Sequence, residues 1–172
     1  MAYDFYRQLG TGVSSLTFGA ALSIFVYAVA SGIVSGLQAW LLFGSSFLLM
    51  LRFWWRYNEL FVQYIPSNTF LHFLFDFAIA FFAILAVLFV GSIQTWALLG
   101  ALAMISSAIR CGLSWASQKA NRELKKTLIG AIGMMVIMGI MYVAAPVVSH
   151  LTLAAVIFVI VLIFVAYSSR RK

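Results

Sequence analysis

Six apolar runs, each about as long as a helix that crosses a bilayer, follow one another through the chain with only short polar breaks between them. A hydrocarbon layer about 30 Å thick takes roughly 20 apolar residues in an α-helix. Division at glycine, proline, serine, asparagine and charge clusters gives spans at about residues 13–30, 37–61, 69–90, 96–115, 127–145 and 151–167. The first run closes in "SGIVSG", and the second closes before "IPSN", where Pro66 and Asn68 break the helix. "GSIQT", "SQKANRELKK" and Pro146 with "VVSH" make the later breaks. This pattern predicts an all-α integral membrane protein: a polytopic bundle of six transmembrane helices forming a single domain over residues 1–172. The first and sixth runs are the shortest, so a five-span arrangement is the nearest alternative.

Charge supports the same class. Eleven lysines and arginines and four acidic residues cannot coat a soluble domain of 172 residues, and hydrophobic residues make up 65% of the chain. Lipid must therefore be the solvent for most of the surface. With the N-terminus inside, every basic residue falls in or near the cytoplasmic half: Arg7, Arg52, Arg56, Arg110, the loop with Lys119, Arg122, Lys125 and Lys126, and the tail Arg170, Arg171, Lys172. The turns after the first, third and fifth runs carry none, so both termini are expected to be cytoplasmic. That asymmetry accounts for the net charge of +7 without nucleic acid. The 119–126 loop is a candidate contact for anionic lipid. "MAYDFYRQLGTG", with one Arg and one Asp, lacks a convincing basic start and small-residue cleavage site before "QAWLL", so the first run is kept as a mature helix.

The exceptional polar feature is a set of charges inside the runs. Arg52, Arg56 and Glu59 are spaced i, i+4, i+7 in the second span and share one helical face. His72 and Asp76 are spaced i, i+4 in the third. A hairpin of these two spans about residues 63–68 is expected to bring Asp76 to the level of Arg52 and Arg56, with His72 nearer Glu59. The fourth span adds Arg110, flanked by Ser107 and Ser114 at i−3 and i+4 in a polar seam. A charge at the bilayer centre costs about 2.5–3.5 kcal/mol on insertion scales, so these groups should face a neighbour or a wet cavity. Arg56 and Glu59, beside Trp54, Trp55 and Tyr57, also suit the membrane boundary, where long side chains snorkel. Arg52 lies one turn deeper and requires a partner, for which Asp76 is the expected choice.

Other signals are weaker. Gly32 with Gly36, and Gly130, Gly133 and Gly139 in the fifth span, suggest close helix packing within the bundle. Met134, Met135, Met138 and Met141 read as packing residues. His72 lies toward the cytoplasmic side and His150 in a turn on the opposite side, so they cannot share a haem iron. His72 and Asp76 alone are too few ligands for a metal, and the single Cys111 has no disulfide partner. No nucleophile elbow, His-Glu-x-x-His or phosphate-binding glycine loop is present, and no cofactor is implied.

The expected activity is that of a small channel or transporter for an ion, proton or small solute, built on Arg52, Asp76 and Arg110 with His72, Arg56 and Glu59 nearby. One small bundle offers little room for a pore, which favours a homo-oligomer. The alternatives are a non-catalytic subunit of a larger membrane complex, in which the charges set packing, and an intramembrane lipid-modifying enzyme.

Overall fold

The computed structural model describes residues 2–58, 70–117 and 122–169, and they form six α-helices: α1 (Ala2–Ala30), α2 (Gly36–Arg56), α3 (Phe70–Leu88), α4 (Ile93–Ser117), α5 (Arg122–Ala144) and α6 (His150–Ser169). The helices coincide with the apolar runs but overshoot them. No proline interrupts residues 2–30, so α1 continues through the polar N-terminal segment. Arg122, Glu123, Lys125 and Lys126 are good helix formers, and α5 begins among them rather than at the apolar boundary. Hydropathy marks where lipid would begin, whereas backbone hydrogen bonding decides where the helix begins.

Four helices are long and apolar enough to cross a membrane: Gly36–Arg56, Ile93–Ala116, Arg122–Ala144 and His150–Ser168. Helices α1 and α3 contribute the apolar stretches Ser15–Ala30 and Leu74–Leu88 among the described residues. Ile129, Ile132, Val136, Ile140 and Val143 of α5 point outward, as do Val156, Val159 and Ile163 of α6. An exterior of that kind suits lipid and would be costly in water.

The inward face of α5 carries Leu124, Ala131, Met134, Met138 and Met141 at the three- and four-residue spacing of one helical stripe. Helix α4 packs most extensively against α5 and then against α3, so residues 70–144 form a sequential antiparallel layer. Helix α2 takes α6 as its principal neighbour and touches α3 less. Gly44 permits this approach, because a Cβ there would stand 3.0 Å from the Phe158 ring. Gly130 similarly receives Phe164, with 3.1 Å to a built Cβ. Gly133 and Gly139 face outward with nothing nearby, so of the three glycines in α5 only Gly130 packs inside the bundle. Phe25 of α1 meets Phe43 and Phe47 of α2 with ring centroids 5.1 and 5.4 Å apart.

Gly32 and Gly36 have a conformational role rather than the packing role expected of them. Their φ angles are +76° and +75°, and a Cβ at either would meet open space. The turn between α1 and α2 is closed by Ser31 N–H to Tyr27 O at 2.8 Å and Val34 N–H to Ala28 O at 3.3 Å. Left-handed backbone costs an L-residue roughly 1–2 kcal/mol. Gly32→Ala should therefore lower the unfolding free energy by about 1 kcal/mol in a denaturant titration in mixed micelles. Gly91→Ala, at a turn glycine with negative φ and open space around it, should change it much less.

Candidate functional site

The end of α2 distributes its polar side chains among three other helices. Arg52 Nη2 donates to the Ser168 carbonyl oxygen at 2.6 Å, tying α2 to the last turn of α6. A cation there also suits the negative end of the helix dipole. Arg56 Nη2 reaches α5, donating to Glu123 Oε2 at 3.0 Å and Thr127 Oγ1 at 3.2 Å. Tyr57, in the π-type turn that ends the helix, hydrogen-bonds the Asp76 side chain of α3.

This corrects the expected pairing. Asp76 Oδ1 accepts from Arg110 Nε at 3.1 Å, while Arg52 serves α6. The physical reason is the neighbour choice of α2: Gly44 seats Phe158, which turns the Arg52 face toward α6 instead of toward α3. Glu59 and residues 63–68 lie outside the described residues, so the expected contact with His72 does too. His72 is buried near the beginning of α3.

Arg110 is the most enclosed charge in the site, at 1% exposure. Its Nη1 donates to Ser114 Oγ, one turn along α4, as the polar seam suggested. Ser107, on the other side of Arg110, lines a cavity instead. Sequence reasoning missed Tyr57, assigned to the membrane boundary, and Glu123, assigned to a loop. The i+4 relation of Glu123 to Thr127 was the one available hint that both lie on a helical face.

The cavity has a volume of about 270 Å³ and lies among α1, α2, α3 and α4, with Met138 of α5. Tyr57, Asp76 and Ser107 mark one end, and Ser46, Ala86 and Trp96 mark the other. From Asp76 to Ala86 the rise along α3 is about 15 Å. Small side chains create the space: Ala21 on α1, Ala80 and Ala83 on α3, Gly100 and Ala103 on α4. Trp96 is 1% exposed, and its indole N–H donates to Ser46 Oγ at 2.8 Å, fixing the far end. Trp54 stacks on Phe18 of α1 at 4.5 Å and also lines the cavity.

The remaining candidates separate from this site. Lys126 pairs with Glu123 at 2.8 Å, and Arg122 and Lys125 are exposed beside it, while Lys119 lies outside the described residues. His150 Nε2 lies 3.1 Å from Ala145 O in the turn between α5 and α6, at the opposite end of the bundle from His72. Among the described residues no cluster of three or more His, Cys, Asp or Glu side chains is arranged to hold a metal ion. Compared with known protein families, curated proteins and solved structures, the chain matches none significantly.

Proposed function

We propose that this chain is a small membrane transporter with six spans and both termini cytoplasmic, moving a small solute through the cavity bounded by α1 to α4. The observation that carries the reading is the cavity itself, which reaches the Asp76 side of a buried ion pair. A carboxylate held by arginine is costly to bury and does not close the helix gap around it. It leaves a polar point at the end of an otherwise apolar space, the common form of a small-molecule site.

The lining narrows the class of cargo. Alanine, isoleucine and phenylalanine offer a desolvated inorganic ion nothing to coordinate it, so a small solute fits better than an ion path. The site also lies within one chain, so a homo-oligomer is not needed to create it.

Reconstitution into liposomes tests the reading. A panel of labelled small solutes should show saturable flux for at least one member, and Asp76→Asn should reduce it by about tenfold or more, the equivalent of one lost charge-assisted hydrogen bond. Unchanged flux in that variant would remove Asp76 from the path. Absence of flux with co-purifying chains would point to a subunit of a complex, and turnover of a lipid would point to an enzyme.

A further inference from the structure

The chemistry of the two cavity ends identifies a ligand class, and the inference rests on this cavity being the solute site of the proposed transporter. We infer that the cavity takes a neutral single-chain alcohol, alkyl or isoprenoid, with its hydroxyl at Asp76 and its chain running toward Trp96.

Shape argues for a single chain. The space extends about 15 Å along the helices and is lined mainly by apolar side chains. That length matches an extended chain of about ten to twelve carbons.

Charge argues for a neutral head. Asp76 is compensated by Arg110, so the pair brings no net charge to the cavity. An ammonium head would add an uncompensated positive charge among apolar walls. A carboxylate head would meet Asp76 first, because Asp76 lines the cavity and the Arg110 guanidinium does not. Like charges at that distance repel.

Hydrogen bonding argues for a hydroxyl. The Asp76 carboxylate accepts from Arg110 and Tyr57, and its two oxygens have capacity for a further donor. A hydroxyl brings that donor without a charge, whereas an ammonium donates but adds one and a carboxylate only accepts.

The test uses the full chain in nanodiscs of zwitterionic lipid, with the outward-facing tryptophans removed by Trp40→Phe, Trp55→Phe and Trp115→Phe. Trp54 and Trp96 then report from the cavity walls. The probe is 11-bromoundecan-1-ol, whose bromine quenches nearby indoles. Undecan-1-ol should relieve the quenching saturably, and undecanoate and undecylamine should each need roughly tenfold more. Ala83→Phe, which fills the middle of the cavity, should abolish the relief, and Asp76→Asn should erase the preference among head groups. No saturable relief, or equal potency of the three head groups on the unsubstituted cavity, overturns the inference. The head-group comparison decides even where Asp76→Asn does not fold. Asp76-dependent flux of another solute without alkanol binding would leave the transporter standing and remove this ligand. Alkanol binding without any flux would do the opposite.

Discussion

Arg110→Met is expected to destabilise the protein by about 3–5 kcal/mol, the usual cost of leaving one member of a buried ion pair without its partner. Arg110 is 1% exposed and holds both Asp76 and Ser114, so its loss leaves the carboxylate and the hydroxyl without their donor in an apolar setting. Methionine fills similar volume and is flexible enough to pack, which confines the loss to charge and hydrogen bonding. The double variant Arg110→Met with Asp76→Asn should recover most of the loss, because a neutral pair needs no counter-charge. Denaturant titrations of the four proteins in one mixed-micelle system give the coupling as a double-mutant cycle. A single-variant cost below about 1 kcal/mol, in the range of an exposed pair, would refute the buried geometry.

Arg52→Met provides the contrast. Its bond to the Ser168 carbonyl lies at the end of α6, where water can hydrate the freed oxygen, so its expected cost is about 1–2 kcal/mol. A larger cost for Arg52 than for Arg110 would reverse the assignment of which arginine completes the site.

The difference between these two residues also shows what the amino-acid pattern could convey. Apolar run length located all six helices of the described residues, because the requirement to satisfy backbone hydrogen bonds in an apolar setting acts locally. The polar seam of Arg110 and Ser114 was legible for the same reason: one helical turn separates them. Neighbour choice was not legible. Sequence adjacency placed α2 against α3, but the fit of Phe158 against Gly44 engages a residue more than a hundred positions away. Arg52 consequently went to the wrong partner, while Arg110, the other arginine expected near Asp76, is the one that holds it. Tyr57 carried no signal, since an aromatic at a helix end is equally at home at a membrane boundary. The cavity was invisible because alanines at 80, 83 and 103 look like ordinary apolar residues until four helices are assembled around them. Gly32 and Gly36 were conspicuous for a spacing that suggested packing, while their actual constraint is a backbone angle.

The far end of the cavity offers the second large effect. Trp96 is the largest fully buried side chain and the one whose ring closes the space opposite Asp76. Trp96→Ala should cost about 3–5 kcal/mol, through lost dispersion contacts and the void left behind. Trp96→Phe should cost about 1 kcal/mol, since it keeps most of the ring and Ser46 retains its bond to the Leu42 carbonyl at 3.1 Å. The two variants separate packing from hydrogen bonding, with thermal unfolding in nanodiscs as the measurement. An apolar void of this kind stays open and takes apolar guests. The alanine variant should therefore accept longer chains: the alkanol giving the greatest rise in melting temperature should lengthen by about two to four carbons relative to the parent protein. An unchanged optimum would mean that the chain does not end against Trp96, and a uniform loss of stabilisation at every length would mean that the ring shapes the cavity as a whole rather than closing its far end.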